Sequence, residues 1–360
     1  MKISLTCIVC GIICCSFSFT KPKIKNVAIL YNASDTSLIQ YSNPVFTPTL
    51  ADPTIIYDDK THMFYAYGTA DNWADGIGTR LVPILVSPNL LDWTYVGNAF
   101  NDFTKPKWKE GGLWAPDIVK VNDKFHLYYS ISIWDDPNPG IGVAVADSPI
   151  GPFIDYGQII SSNKIDVPNS IDPFFYEENG KKYLFWGSFS SRSTQGIHGI
   201  ELSSDGLNIN SISNKFKIAA GDWEAVVIHK KNDYYYMFGS KGSCCEGKNS
   251  TYRVLVGRSK NIKGPYLDKE GNDIAERDNG TLILKGNKQF VGPGHNSRIL
   301  TDAIGNDWVL YHAIDSNFPK LSNGVNRRVL FVDQVIWSGG WPLINNSYPS
   351  IQNRIKPNFN

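Results

Sequence analysis

The chain has 360 residues, a formal net charge of +1, 13% aromatic residues and 31 glycines. A charge so close to zero provides no attraction to nucleic acid or to an anionic membrane surface, so we expect neither as a partner. Apolar runs separated by turn residues, without a long amphipathic helical pattern, predict an all-β fold. The length would allow two average domains, but the continuous repeat described below predicts one.

The amino terminus has the features of a secretory signal peptide. Ile3–Phe19 is mostly apolar, but it is too short and poorly flanked for a membrane span, and Ser16–Ser18 has a small-x-small pattern. We therefore predict a signal peptide over residues 1–19 and a polar leader over residues 20–45. The mature protein is expected to be a secreted or periplasmic monomer with no membrane span.

The cysteines leave two questions open. A lipid anchor at Cys14 or Cys15 would hold the protein at the cell surface, although Ile13 stands where such an anchor needs a small residue. Outside the predicted signal peptide only Cys244 and Cys245 are present. They are either two thiols or a bonded adjacent pair that shapes a loop, which an oxidising compartment would permit. No cysteine–histidine pattern predicts zinc.

One pattern recurs five times. Each copy has a polar head, an apolar strand, a polar turn and a second strand rich in aromatic residues; the copies begin at Ala51, Trp114, Ser170, Trp223 and Gly294. A further hairpin signal follows each copy, so each unit has four strands, which is one propeller blade. We therefore predict a five-bladed β-propeller over residues 46–360, with one four-stranded sheet per blade.

The heads of the five innermost strands would converge at one end of the central channel. They are Asp52, Asp117, Asp172, Glu224 and the pair His295–Asn296. In Asp52-Pro53 and Asp172-Pro173 the proline holds the preceding residue extended and so aims its side chain. Glu224 follows Trp223, and such neighbours desolvate a carboxyl and raise its pKa. A glutamic acid that stays protonated near neutral pH can donate a proton.

Opposed carboxyls, one protonated and one ionised, are the groups that hydrolyse glycosides. Trp114 is predicted at the channel mouth, where an aromatic face could bind a sugar ring, although a core position is equally compatible with the sequence. His295 lies among glycines that permit a tight backbone path, and it suits either a metal or water ligand or a structural hydrogen bond. The repeats alone leave open whether Asp117 or Asp172 completes the site.

The heads ADP, NSIDP, WEA and GPGHNS resemble glycoside hydrolase family 43, and WAPDI, FGSKGSCCEG and NSTYRVLVGRSKNIKGPY are similar to its arabinanase branch. The resemblance covers about residues 47–345. It implies a five-bladed propeller with an inverting site, in which Asp52 is the general base, Glu224 the general acid and Asp172 the residue that tunes and orients the acid. It leaves Asp117 as a structural or binding residue.

The same resemblance implies further site residues. Trp114, Asn169 and Ser188 would line the sugar subsites, and His295 would lie near a calcium ion in the central channel. The expected substrate is α-1,5-linked L-arabinan or its oligosaccharides. Val226 stands where the arabinanase pattern usually has proline, and the loops around Trp73 and Trp134 do not match that pattern.

These loops shape the cleft, so the sequence leaves endo and exo action open. The alternatives are an exo-acting α-L-arabinofuranosidase or β-xylosidase on the same scaffold, and a non-catalytic sugar-binding propeller. The presence of all three carboxyl groups favours an enzyme over a binding protein.

Overall fold

The computed structural model describes residues 40–189 and 195–359. The predicted signal peptide and most of the leader lie outside these residues. Four antiparallel four-stranded sheets, and a fifth sheet that has four such strands and one additional short strand, confirm the predicted five-bladed β-propeller. Antiparallel neighbours joined by short turns need no crossover, which is why the paired hairpins of the sequence map directly onto blades.

In each blade the first strand lies at the channel and the fourth lies at the periphery. Blade 1 contains Thr54–Asp58, Met63–Tyr67, Pro83–Ser87 and Thr94–Asn98. Blade 2 contains Gly112–Val121, Lys124–Ser132, Gly140–Ala146 and Ile154–Ser161. Blade 3 contains Phe174–Glu178, Lys181–Trp186, Gly196–Glu201 and Phe216–Ala220. Blade 4 contains Glu224–Lys231, Tyr234–Lys241, Arg253–Ser259 and Thr281–Lys285. Blade 5 contains Phe290–Gly294, Asp307–Asp315, Arg328–Ser338 and Trp341–Ile344.

The remaining elements are short. Leu300–Thr301 adds to the second strand of blade 5, and two small sheets pair Gln40–Tyr41 with Arg354–Ile355 and Asp71–Asn72 with Thr79–Arg80. In residues 40–189 and 195–359, helical residues are limited to one α-helical turn and three 3₁₀ turns: Ser162–Ile165, Ile212–Asn214, Gly247–Asn249 and Asn345–Ser347. Within the described residues, no helix has the length and apolar character needed to cross a membrane.

The hydrophobic core lies between neighbouring blades. One cluster joins Tyr67 of blade 1 to Leu127 of blade 2, and another joins Tyr128 of blade 2 to Trp186 of blade 3. Every residue of the third strand of blade 2, Gly140–Ala146, is buried because both faces of a blade are covered. Such strands read as continuous apolar runs in the sequence rather than as alternating ones.

The segment that precedes blade 1 pairs with blade 5. Val45 donates its amide to the Leu330 carbonyl at 2.9 Å, and the Asn43 side chain exchanges hydrogen bonds with both backbone groups of Val332 at 2.9 and 3.0 Å. Asn43 is 6% exposed. Hydrogen bonds between the segment before blade 1 and the third strand of blade 5 thus close the ring of blades. The same segment covers the edge of that strand.

Cys244 and Cys245 form a disulfide bond in the loop after the second strand of blade 4. Of the two states that the sequence left open, the structure has the bonded pair. Asn326 of blade 5 donates its side-chain amide to the Cys245 carbonyl at 2.9 Å and accepts the Gly247 amide at 2.9 Å, which fixes this loop to its neighbour.

Candidate active site

In or next to each innermost strand, one residue lies in the left-handed backbone region. These residues are Asp52, Ala115, Asp172, Ala225 and His295, with φ between 43° and 56°. The extended backbone that the following prolines predicted for Asp52 and Asp172 is therefore wrong. Side chains other than glycine adopt the left-handed conformation only where the surrounding structure imposes it, and such residues concentrate at functional sites. Their common geometry aligns the five blades residue by residue.

This alignment corrects two of the predicted heads. Asp52, Asp172 and His295 occupy the equivalent position, but blade 2 has Ala115 there, so Asp117 lies two residues further along its strand. Glu224 lies one residue before Ala225. The sequence pattern could not show these offsets because they arise from irregular register where the two inner strands begin.

The left-handed residue of each blade donates its amide to a side chain of the preceding blade. In four blades the acceptor lies on or just after the second strand of that blade. The bonds run from Asp52 to His312 Nδ1 (3.1 Å), from Ala115 to Thr69 Oγ1 (2.8 Å), from Asp172 to Ser130 Oγ (3.0 Å) and from His295 to Ser240 Oγ (2.9 Å). Blade 4 differs, because the Ala225 amide donates to Oδ2 of Asp172 at 3.0 Å.

Ser188 occupies the position in blade 3 that corresponds to Ser240 in blade 4, since each serine follows an aromatic residue and a glycine at the end of a second strand. Asp172 has taken the Ala225 amide, so the Ser188 hydroxyl instead bonds both backbone groups of Gly196, at 3.0 and 3.2 Å. Its side chain is fully buried. The predicted sugar contact at Ser188 therefore has no exposed hydroxyl in this structure.

Asp52 is held in its ionised form. Arg328 donates to both of its carboxylate oxygens at 3.1 Å, and the Thr69 hydroxyl donates to Oδ2 at 2.5 Å. Burial by itself raises the pKa of Asp52, but the Arg328 guanidinium, with smaller contributions from the two nearby histidines and Thr69, holds that pKa well below its usual range. An ionised carboxylate is what a general base requires.

Two buried histidines flank Asp52 and differ in tautomer. Burial lowers the pKa of His312 to about 3, and its Nδ1 accepts the Asp52 amide, so the proton of the neutral ring lies on Nε2. Burial also lowers the pKa of His295, whose Nδ1 lies 3.3 Å from Oδ1 of Asp52. A neutral His295 makes this contact by donating from Nδ1, which leaves the lone pair of Nε2 for another partner.

Glu224 and Asp172 are the carboxyl groups that stay protonated most readily. Burial, together with the Asp52 charge, raises the pKa of Glu224 to about 7 against the opposing effects of Tyr252 and Arg328. Burial and the Glu224 charge raise the pKa of Asp172 well above its usual value. Two neighbouring carboxyl groups whose charges act on each other release their protons as a pair. The site thus combines an ionised carboxylate at Asp52 with a pair that retains a proton near neutral pH.

Asp117 joins four blades. Its carboxylate accepts from Thr54 of blade 1 at 2.9 Å, from the Phe175 amide of blade 3 at 2.8 Å, and from Arg298 of blade 5 at 2.8 Å on each oxygen. It is 3% exposed. Of the two roles that the sequence left to Asp117, these contacts favour the structural one.

Aromatic side chains lie at the rim of the channel. Trp114 immediately precedes Ala115. The Ala115 amide donates to the Thr69 hydroxyl, and the same hydroxyl donates to Asp52, so these two hydrogen bonds connect the backbone next to Trp114 with that carboxylate. Its ring packs on that of Trp134 at 5.6 Å between centroids, and Trp134 is 73% exposed. Asn169, with φ 53°, bonds the Phe189 carbonyl at 3.4 Å. Trp114 and Asn169 are both partly exposed and accessible, as predicted for sugar contacts.

A small cavity of the channel is lined by polar and apolar residues that include His295, Asn296 and Arg298, and the buried Asn296 Oδ1 has no partner among the described residues. An oxygen acceptor suits calcium, and a histidine that donates its other nitrogen to a carboxylate is a common metal ligand. No group of three or more His, Cys, Asp or Glu side chains converges as a metal site in the described part of the chain.

Four residues of the site were missed in the sequence. They come from second or third strands or from a loop, whereas the repeat pattern identifies only the heads of first strands; the four are Arg328, His312, Thr69 and Tyr252. The polar residue that ends the second aromatic strand of each repeat could have identified Thr69 and His312. Arg328 and Tyr252 carry no local signal, because each belongs to the site only through its position in the fold.

Fold and site together define a five-bladed propeller whose channel holds an acid–base set of carboxyl groups. The sequence profile of glycosyl hydrolases family 43 matches residues 41–342. The chain belongs to this family and is a glycoside hydrolase, as the resemblance in its sequence predicted.

Its relatives include enzymes of both modes of action. The chain is 34% identical to the extracellular endo-α-(1→5)-L-arabinanase 1 of Bacillus subtilis, over 81% of this chain and 87% of that protein. It is 33% identical to an extracellular exo-α-(1→5)-L-arabinofuranosidase of Cellvibrio japonicus, over 73% and 80%. The structure of an α-L-arabinanase of Cellvibrio cellulosa in complex with arabinohexaose is similar, with a TM-score of 0.70 and 31% identity over 84% of this chain and 98% of that one.

The contacts of Asp117 predict a stability defect. Asp117→Ala should lower the free energy of unfolding by about 3–5 kcal/mol, because it leaves the Arg298 charge and two donors without their acceptor. Urea denaturation would measure the loss as a lower midpoint at unchanged slope. Asp147→Ala, which removes a carboxylate from an exposed ion pair with Lys124 in the same blade, is the control and should change little. A stable Asp117→Ala protein that binds sugar weakly would show a substrate-binding role instead.

Proposed function

We propose that this protein is a secreted hydrolase of α-1,5-linked L-arabinan that acts within the chain and inverts the anomeric configuration. The observation that carries the mechanism is the contrast between the buried Asp52 and the partly buried Glu224 at one channel mouth: Asp52 is kept ionised by Arg328, and Glu224 has a pKa raised to about 7. The substrate is inferred from relatives that are named for α-1,5-linked arabinose polymers.

In the proposed reaction Asp52 takes a proton from a water molecule as that water attacks the anomeric carbon. The glycosidic bond breaks on the opposite side of the sugar, and the leaving oxygen receives the proton of Glu224. The product has inverted configuration, and the two carboxyl groups return to their first states by exchanging a proton with solvent. Asp172 supports the acid, because its carboxylate accepts the amide of Ala225, the residue next to Glu224.

The sugar-binding surface is proposed to be the aromatic rim. Trp114 and Trp134 offer adjacent apolar faces that are tilted to each other, and Asn169 adds an amide that could bond sugar hydroxyls. An uncharged polysaccharide matches the near-zero net charge of the chain. Secretion is inferred from the amino-terminal sequence and agrees with the extracellular relatives.

We also propose that His295 Nε2 and Asn296 Oδ1 hold a calcium ion that is otherwise coordinated by water. When bound, such an ion would supply positive charge to the channel floor beneath the carboxyl groups. The Nδ1 contact of His295 with Asp52 orients that carboxylate.

The products of polysaccharide digestion test the function. Linear arabinan should give a ladder of oligosaccharides, with little release of sugar from xylan. A single small product from arabinan would show the exo mode of the Cellvibrio japonicus relative, and preference for xylosides would show a β-xylosidase. Binding of arabinan without new reducing ends, in the presence of calcium, would overturn the enzymatic proposal.

Variants of the two working carboxyl groups should differ by substrate. Asp52→Ala should abolish turnover on every substrate because water is no longer activated. Glu224→Ala should lose most activity on arabinan yet retain much of it on an aryl arabinoside, whose leaving group hardly needs a proton. NMR of the first product should show inversion. Net retention, or azide rescue of Asp52→Ala to a glycosyl azide with the substrate's configuration, would identify Asp52 as a nucleophile.

The pH profile should follow the two protonation states. The kcat/KM value should fall as pH rises through about 7, where Glu224 loses its proton, and the acid limb should lie well below the range of an ordinary aspartate because Arg328 holds Asp52 ionised. Asp172→Asn should shift the alkaline limb to lower pH and reduce kcat, since the coupling between the two carboxyl groups is reciprocal. An alkaline limb that moves upward would contradict this pairing.

The metal proposal separates into two measurements. A chelator should lower the activity of the wild-type protein. His295→Ala should lower the activity by itself, and the chelator should then reduce the activity of this variant little further. Calorimetry of calcium binding to the chelated protein gives a readout independent of turnover, with binding expected for wild type and weakened for His295→Ala. Equal calcium affinity in both proteins would place the ion elsewhere.

A further inference from the structure

Arg328 meets the carboxylate of Asp52 through only one of its amino groups. Arginine often binds a carboxylate with two nitrogens in parallel. Here the single nitrogen Nη1 lies 3.1 Å from each oxygen of Asp52. The second amino group is left for another acceptor, and its Nη2 lies 3.4 Å from Oδ2 of Asp71. The guanidinium of blade 5 is therefore shared between two carboxyl groups of blade 1.

The guanidinium of Arg328 has few other restraints. The backbone of this residue is fixed, because its carbonyl accepts the Leu50 amide at 2.9 Å and the Thr49 hydroxyl at 3.1 Å. The long side chain beyond it has several rotatable bonds, and its buried Nε has no hydrogen-bond partner within residues 40–189 and 195–359. In the same part of the chain, Asp71 is the hydrogen-bond partner of the guanidinium besides Asp52.

Asp71 is itself held in place by both neighbouring blades. It pairs with Arg80 in the short two-stranded sheet of blade 1. The carbonyl of the next residue, Asn72, accepts the side-chain amide of Asn323 from blade 5 at 3.0 Å. The Asp71 side chain is 15% exposed, and burial raises its pKa to about 6, so the carboxyl group is ionised at neutral pH. It can thus hold the guanidinium by charge as well as by a hydrogen bond.

The segment that leaves the second strand of blade 1 acts on Asp52 twice. Thr69 and Asp71 lie two residues apart in this segment. The Thr69 hydroxyl donates directly to Oδ2 of Asp52 at 2.5 Å. Asp71 reaches the same carboxylate through Arg328. One short stretch of chain therefore restrains both the carboxylate and the cation that faces it.

We propose that Asp71 is a positioning residue for the general base: it holds Nη2 of Arg328 so that Nη1 alone faces the two oxygens of Asp52. This role rests on the proposed function of Asp52. Without Asp71 the guanidinium is free to turn and to meet Asp52 with two nitrogens. The base then keeps its cation, but its oxygens are no longer aimed at the attacking water. Such a misplacement slows the reaction without weakening substrate binding.

The test is Asp71→Ala, with Asp75→Ala as its matched control. Asp75 lies in the same hairpin, and its carboxylate also binds an arginine, since Arg80 donates to it at 2.9 Å. That arginine packs on the ring of Trp73 instead of binding the base. A loss of activity caused merely by loosening the hairpin would appear in both variants. Asp71→Asn keeps an oxygen acceptor without the charge and is the conservative variant.

Asp71→Ala should lower kcat by about 10- to 100-fold with KM little changed. The loss should be equal on arabinan and on an aryl arabinoside, because either leaving group requires an activated water. Asp71→Asn should retain more activity than Asp71→Ala, and Asp75→Ala should have the wild-type kcat. In an Arg328→Ala background, Asp71→Ala should cause no further loss, since it acts through that arginine. A raised KM at unchanged kcat, or a loss that multiplies with that of Arg328→Ala, would overturn the proposal.

The guanidinium is also observed without substrate, by NMR of arginine labelled at its side-chain nitrogens, with Arg328→Lys to assign the signal. In the wild-type protein the two amino groups of Arg328 should give separate signals, because different carboxyl groups hold them. In Asp71→Ala these signals should merge through rotation, while those of Arg80 stay unchanged. Separate Arg328 signals in Asp71→Ala would contradict the proposed role. Because this measurement needs no substrate, it still tests the contact if the proposed activity on arabinan is wrong.

Discussion

Adjacent blades are joined at the channel by one recurring bond, in which a left-handed residue donates its amide to a side chain of the blade before it. The acceptor is a neutral hydroxyl or imidazole in four blades. A buried amide without an acceptor would be costly, so each of these bonds fixes one blade against the next. In blade 4 the acceptor is the carboxylate of Asp172, and the link that closes this interface also places Asp172 beside the acid.

The electrostatics of the site depend on these positions. Asp52 and Asp172 have the same backbone conformation and both are buried, yet of the two only Asp52 has a guanidinium beside it, where Arg328 donates to both oxygens. Asp172 accepts a backbone amide, which opposes the effect of burial only in part, and it shares its surroundings with Glu224, so its pKa moves the other way. A single guanidinium thus decides which of the two aspartates stays ionised. Tyr252 and Arg328 oppose the rise that burial causes in the pKa of Glu224.

The repeat pattern predicts that the heads of the innermost strands lie together, but it does not resolve individual positions. Ala115 rather than Asp117 holds the position in blade 2 that is equivalent to Asp52, and the Asp117 carboxylate joins four blades. This difference is an offset of two residues, which a period of about 50–70 residues with inserted loops cannot resolve. Ser188, a sugar contact that the family resemblance implies, has its hydroxyl satisfied by Gly196 because Asp172 accepts the amide of Ala225.

The sequence by itself determined the five blades, the strand pairs and the residues Asp52, Asp172, Glu224 and His295 at one end of the channel, because hydrophobic patterning and turn residues are local properties. Only the tertiary structure decided the protonation states of those residues. A pKa depends on burial and on charges a few ångströms away, and the decisive groups come from elsewhere in the chain: Arg328 is 276 residues from Asp52, and His312 is 260 residues away. No local pattern records such a distance, so the difference in protonation between Asp52 and Glu224 arises only when the ring of blades closes.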